Sequence, residues 1–288
     1  MLFRSIGLIG QSAVSWARPP HLRPVRDFKI AAAFTSIAEA RDSLDYMTYM
    51  RYLDPGRICA RTQEPGSFDD TLSEEAIQIA GRWLSAFQQL STELECRGQM
   101  TSREKQALDV LKMRSYGLKY TVKVYFQHSD LSESDPSNSG VIPSDLIEIV
   151  EAERVTLAES VVLEIGNEST SHHFTLDLGI IGPMYDIARS CRDPSTRRRA
   201  IAVLYNYPRR EGLWDSLLAA RVAERTMMHE ENAASAAVTK SSDVPEWARI
   251  TTVLPKFSIS ERKATVTYIK DQLPADHHDR VFEETLCW

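Results

Sequence analysis

The chain is 288 residues long, with 43% hydrophobic and 26% charged residues and a formal charge of −6 at pH 7. That length can bury a substantial core as one large or two modest domains, and the composition is that of an ordinary globular chain. The acidic balance argues against a protein dominated by nonspecific affinity for nucleic acid, which needs a basic face, and the apolar runs fall far short of the ~20 residues of a membrane helix.

Residues 1–29 carry Arg4, Arg18, Arg23, Arg26 and Lys29 against Asp27, among Leu2, Phe3, Ile6, Ile9 and Val14. This pattern predicts a first helix packed on the body and a loop over 18–25; the same composition suits a mitochondrial presequence. Three long helices follow. Ser36 with Glu39 forms a capping box, in which each side chain satisfies a free N–H at the helix start, ahead of Ala40, Leu44, Met47, Met50 and Leu53 at helical spacing. Asp54-Pro55-Gly56 ends that helix. Thr71 with Glu74 predicts a second box before the stripe Ala76, Ala80, Trp83, Phe87, Leu90, Leu94, closed by Gly98. Thr101 with Glu104 predicts a third, before Leu108, Leu111, Leu118, Val122 and Tyr125. Each helix has one apolar face and must pack on others.

Residues 128–143 are rich in Ser, Asp and Pro and read as a surface loop, in which phosphorylation of serines would add charge. Ser144 caps a fourth helix with Leu146, Val150, Leu157 and Val161 inward, and residues 167–178 form a break. Gly182-Pro183 then sets the first turn of a short helix with Met184, Ile187, Ala188 and Cys191 on its apolar side. Asp193-Pro194 stops it and starts another as N-cap and first helical residue, with Ala200, Ile201 and Leu204 inward; Tyr207-Pro208 breaks that one. A third helix is predicted from Gly212 to about Glu231, with Trp214, Leu217, Leu218 and Val222. Residues 234–243 are a polar loop. Ile250, Val253, Phe257, Val266 and Tyr268 then alternate with polar residues as a small β-hairpin, and residues 271–288 read as a loosely held tail with Leu273 and Trp288 as contacts. The predicted class is all-α, a helical bundle or stacked helical hairpins, with a small β-hairpin near the C-terminus. Its divisions are a basic segment over 1–29, a helical domain over 30–270 and the tail.

The charge of residues 189–210 stands out. Arg189, Arg192, Arg197, Arg198, Arg199, Arg209 and Arg210 face a single acid, Asp193, in a chain whose overall sign is opposite. The plain expectation is that these arginines cover a helix face and pair with acids such as Glu211, Asp215, Glu230 and Glu231. The sharper expectation is that Arg192, Arg197, Arg198, Arg199, Arg209 and Arg210 form an interaction or nuclear-import surface.

Candidate chemistry is sparse. Cys59, Cys96, Cys191 and Cys287 are widely scattered, without the close spacing of a zinc site or a disulfide framework, and fit a reducing compartment. His172-His173 and His277-His278 are neighbours whose side chains point apart, a poor chelating arrangement. No GxSxG elbow, phosphate loop or dinucleotide fingerprint occurs. No catalytic residue, metal ligand or cofactor is assigned.

The block CRDPSTRRRAI (191–201), followed by PRREGLWDS (208–216) and the Ala-rich LLAARVAE (217–224), resembles the C-terminal regulatory region of fungal zinc-cluster transcription factors. The likeness extends more loosely to FTSIAEARDSLDYM (34–47) and VPEWARITTV (244–253), so that it spans most of residues 30–270. The resemblance implies a transcription-related role, a nuclear site and no catalytic residues. It also implies a longer ancestral chain upstream of Met1. The zinc cluster of that family needs a close-set group of thiolates that this sequence lacks, so the expectation is a regulatory module without its own sequence-specific DNA reader or membrane contact. It would join a transcription factor or co-regulator by protein contact, with self-association left open. Two other readings stand beside it: an enzyme or accessory protein with a pocket between helices, and a truncated remnant.

Overall fold

The computed structural model describes residues 29–52, 70–129, 144–166, 174–175, 179–212, 214–234, 236–258, 261–270 and 280–287. The basic segment before Lys29, the Asp54-Pro55-Gly56 stop, the bulk of the polar loop (130–143), both histidine pairs, Leu273 and Trp288 lie outside these residues. The described residues fall into two compact units, one of those before residue 130 and one of those from Ser144 onward.

In the first unit, α1 (Ile37–Tyr52), α2 (Asp70–Cys96) and α3 (Ser102–Ser129) pack on one another. The apolar stripes of the sequence form the core: Ala40 and Leu44 of α1, Ala80, Trp83, Phe87, Leu90 and Leu94 of α2, Leu108 and Leu111 of α3. Trp83 is completely buried, and its indole N–H donates to the Ala40 carbonyl (3.1 Å), so the ring loses no hydrogen bond on leaving water. It stacks on Phe87, with centroids 4.8 Å apart. The connection from α2 to α3 follows the predicted chemistry. Gly98 takes φ +65°, a left-handed conformation that ends the helix without a Cβ clash. The Thr101 hydroxyl accepts from the Glu104 N–H (3.2 Å), and the Glu104 carboxylate accepts from the Thr101 N–H (2.8 Å). At α1 the box is displaced: Ser36 Oγ accepts from the Glu39 N–H, but the Glu39 carboxylate reaches back one residue further, to the Thr35 N–H and hydroxyl. The chain is already helical at Asp70, so Thr71 lies within α2 rather than ahead of it.

In the second unit, α4 (Ser144–Gly166) leads to β1 (Phe174–Thr175), α5 (Ile181–Ser190), α6 (Pro194–Asn206), the short strands β2 (Arg210–Glu211) and β3 (Trp214–Asp215), and α7 (Ser216–Glu231). Helices α5, α6 and α7 pack pairwise, and α4 lies along α6. The inward face of α4 differs from expectation. Val155, Ala158 and Val161 are buried with Glu151, whereas Val150 and Leu157 are half-buried and Ile149 and Leu163 exposed. This helix is apolar on several sides, so spacing alone did not single out a face.

Helix α5 starts two residues before Pro183, which therefore stands at its third position; its absent N–H is still one that the first turn leaves without an intrahelical acceptor. Asp193 and Pro194 act as predicted: Asp193 Oδ2 accepts from the Thr196 N–H (2.7 Å), and Pro194 opens α6. The predicted start of the next helix at Gly212 is wrong. Gly212 takes φ +58° in the turn of a β2–β3 hairpin, and α7 begins at Ser216, capped by the Asp215 carboxylate on the Leu217 and Leu218 N–H groups (both 3.1 Å).

The C-terminal β element has three strands where the sequence suggested two. Antiparallel β4 (Thr252–Ser258), β5 (Lys263–Ile269) and β6 (Val281–Cys287) form a sheet in that order, and β6 comes from the stretch read as a loose tail. Its inward residues are Phe282, Glu284 and Leu286, in register with Tyr268, Val266 and Ala264. The central acid broke the apolar alternation that marks a strand. Its inward position is stabilised by Arg225 of α7, whose Nε donates to Glu284 Oε2 (3.0 Å), and by His229 (3.1 Å). Although burial works to raise it, these two partners hold the Glu284 carboxyl below its ordinary range. No helix of the described residues is long and apolar enough to cross a membrane.

Candidate functional site

The arginine block occupies the corner between α5 and α6 and the start of the β2–β3 hairpin. Helix α5 has only ten residues, too few to be stable alone, and both of its ends are held by charged side chains from elsewhere. At its N-terminus the buried Glu211 carboxylate accepts from three consecutive backbone N–H groups: Gly179 (3.0 Å), Ile180 (3.1 Å) and Ile181 (3.0 Å). At its C-terminus the Arg197 guanidinium donates to the Ala188 carbonyl (2.7 Å) and the Arg189 carbonyl (3.0 Å). An anion sits at the positive end of the helix and a cation at the negative end, each on a group that the helix itself cannot satisfy.

Arg197 is only 3% exposed and forms an ion pair with Glu230 of α7, itself 3% exposed. Glu230 also accepts from the Ile250 N–H (2.8 Å) and lies 3.6 Å from Arg249 Nη1. One buried carboxylate thus ties together α6, the end of α7 and the entry to the sheet. Burial pushes the Arg249 guanidinium below its usual range, with Glu230 opposing it. Burial likewise pushes the Glu211 carboxyl up, against the pull of the three N–H groups.

The other five arginines of the candidate surface are at least partly exposed. Arg192 makes a two-pronged pair with Glu246, with Nη2 2.8 Å from Oε2. Arg198 reaches both oxygens of Glu231 at 2.8 Å. Arg199 reaches Glu159 of α4 (2.9 and 2.6 Å), which holds its charge more firmly, and also the Thr156 hydroxyl (2.9 Å). The Arg209 guanidinium stacks over the Tyr207 ring at 4.4 Å, and Arg210 lies 4.0 Å from Asp215. So Glu230, Glu231 and Asp215 face arginines as the plain expectation had it, whereas Glu211 is used on backbone amides. Arg197 does not belong to a surface: it is an internal anchor. Glu159, Glu246 and Arg249 were not foreseen: the two acids lie 40 or more residues from their arginines, Arg249 lies 19 residues from Glu230, and none carries a local mark. Gly179 was missed as well. A Cβ there would lie 2.3 Å from Glu211 Oε1, so only glycine admits the carboxylate.

Behind α5, Glu151 of α4 is buried with one oxygen unpaired. Burial raises its carboxyl above the ordinary 4.5, with Cys191 opposing. A carboxyl raised on folding keeps its proton where the unfolded chain has lost it, so stability falls as pH rises from about 4.5 through the folded value. Glu151→Gln is therefore expected to be stabilising at pH 8, with the gain vanishing near pH 4. Thermal melts at the two pH values check this; an equal loss at both would contradict it.

Among the described residues, no group of three or more His, Cys, Asp or Glu is placed to hold a metal ion. Of the hollows on the described surface, one lies along α2 beside Leu84, Gln88 and Glu93 and another by Lys256, Glu261 and Thr285. Neither sets a histidine or a second carboxylate against its single acid.

No family model matches the chain, and no solved structure matches it. Over 123 residues it is 39% identical to the aspercryptin biosynthesis cluster-specific transcription regulator atnN of Emericella nidulans. The match covers 42% of this chain and 19% of that protein, so the chain spans well under half the length of this relative. The chain is a partial homologue of a fungal cluster-specific transcription regulator, and the relative is a regulator rather than an enzyme.

Proposed function

We propose that the chain is a regulator of transcription of the fungal gene-cluster type that acts in the nucleus through protein contacts. The observation that carries this reading is the 39% identity over 123 residues to a cluster-specific regulator. The contact surface is the exposed edge of the arginine corner, formed by Arg192, Arg198, Arg199, Arg209 and Arg210 around the buried anchor Arg197. Its guanidinium groups are already aligned by Glu246, Glu231 and Glu159, so docking an acidic partner costs little further side-chain ordering. The partner is a transcription factor or co-regulator.

The test is to tether the full chain to a heterologous DNA-binding domain in a fungal host. A several-fold change in reporter output and nuclear accumulation are expected. Arg192→Glu with Arg198→Glu and Arg210→Glu should abolish the change while the protein stays folded and abundant. Cytosolic residence with an unaltered reporter would sink the proposal.

A further inference from the structure

The three-stranded sheet ends in two edges of opposite character. Lys270 donates its N–H to the Arg280 carbonyl (3.0 Å), just beyond the paired Ile269 and Val281. Backbone groups alternate in direction along an antiparallel strand. Hence Phe282, Glu284 and Leu286 turn their N–H and C=O groups toward β5, while Val281, Glu283, Thr285 and Cys287 turn theirs outward. On the other side, the Thr251 N–H donates to the Ile269 carbonyl (2.9 Å) although Ile269 is in register with Thr252, a β-bulge. By the same alternation Val253, Pro255 and Phe257 face outward on β4. Pro255 stands in the middle of that edge and removes its central donor, a device that blocks strand addition. The β6 edge has no proline, and among the described residues no strand lies against it.

We propose that the free edge of β6 pairs antiparallel with β6 of a second copy of this chain, making one continuous six-stranded sheet across a two-fold axis at Glu284. The edge is self-complementary about that residue. Val281 falls opposite Cys287 of the second copy and Glu283 opposite Thr285, so every outward donor meets an outward acceptor and no like charges meet on the outer face. On the inner face Phe282 meets Leu286, extending the apolar layer. The two Glu284 carboxylates face each other, but each is already neutralised by its own Arg225. A shift of two residues one way would set Glu283 against its own copy, which disfavours that register. Val281 is 55% exposed in the single chain, and Glu283, Thr285 and Cys287 are exposed with it, so pairing also removes apolar surface from water. This inference does not rest on the transcriptional reading.

Sedimentation equilibrium of the full chain under reducing conditions should show a concentration-dependent monomer–dimer equilibrium. Thr285→Pro removes an outward N–H and leaves every bond within the sheet, so it should raise the dimer dissociation constant at least ~10-fold while leaving unchanged the melting curve recorded at concentrations where both chains are monomeric. Residues in a hydrogen-bonded antiparallel pair have Cα atoms about 5.5 Å apart, within disulfide reach. Oxidised Val281→Cys should therefore give a covalent dimer whose disulfide joins the new thiol to Cys287 of the other copy. This cross-link decides the matter independently of how the proline variant folds. A chain monomeric at all concentrations, a dimer indifferent to Thr285→Pro, or a cross-link that maps elsewhere would overturn the proposal.

Discussion

Arg197→Met is expected to destabilise the unit from Ser144 onward by about 3–5 kcal/mol, the usual cost of removing one partner from a buried ion pair. The methionine fills much of the arginine's volume, so the loss is electrostatic and polar rather than a cavity. Three acceptors lose their donor at once: the Glu230 carboxylate and the Ala188 and Arg189 carbonyls at the end of α5. Glu230 would keep the Ile250 N–H and the more distant Arg249, which caps the damage. Arg197→Lys retains the charge but has no planar fork, and should recover only part of the loss. Adding Glu230→Gln to Arg197→Met should restore part of the stability, because the uncompensated buried charge is gone while the acceptor for Ile250 remains. Urea unfolding of the single and double variants measures this coupling. A loss below ~1 kcal/mol for Arg197→Met would mean that the network is ornamental.

Glu211→Gln should cost about 3 kcal/mol, although it changes a single atom type. A carboxylate offers acceptors to all three N–H groups of residues 179–181, whereas an amide turns its NH2 donors toward one of them. Gly179→Ala should cost a similar amount by a different route. Its Cβ would stand 2.3 Å from Oε1 and 2.8 Å from Cδ of Glu211, and the carboxylate would have to leave its three donors. The two effects share one contact, so they should not add. Gly179→Ala placed on Glu211→Ala should cost little beyond Glu211→Ala alone, because the clashing group is absent. Thermal melts of the four proteins test this, and full additivity would show that the glycine is needed for another reason.

Local signals carried most of the helical reading. The Asp193-Pro194 corner, the Thr101–Glu104 box, the Gly98 stop and the α2 stripe from Ala80 to Leu94 all appear where their chemistry places them. Each is decided by residues within one or two turns. Failures occurred where a distant group overrode the local pattern. Helix α5 starts before Pro183 because Glu211, 30 residues on, satisfies its first amides. The strand β6 was hidden because an acid stands at an inward position, which makes sense only beside Arg225. The face of α4 could not be chosen until α5 and α6 were laid against it.

For the candidate site the division is sharper. The cluster of arginines was visible in the sequence, and so were several of the acids that face them. Which arginine is buried was not: Arg197, Arg198 and Arg199 are consecutive, of one chemical type and on one helix, and a 100° turn of that helix separates an anchor at 3% exposure from a surface guanidinium.

By itself the sequence determined the Gly98 and Asp193-Pro194 corners, the apolar stripe of α2 and the cationic character of one corner, since these depend on backbone sterics and hydrogen bonds over a few residues. Only the tertiary structure decided which charges are enclosed, why Gly179 must lack a side chain, and which strand edge stays open. Those depend on groups brought together from 20 to 60 positions apart, where burial removes the water that would otherwise make one arginine or one glutamate equivalent to the next.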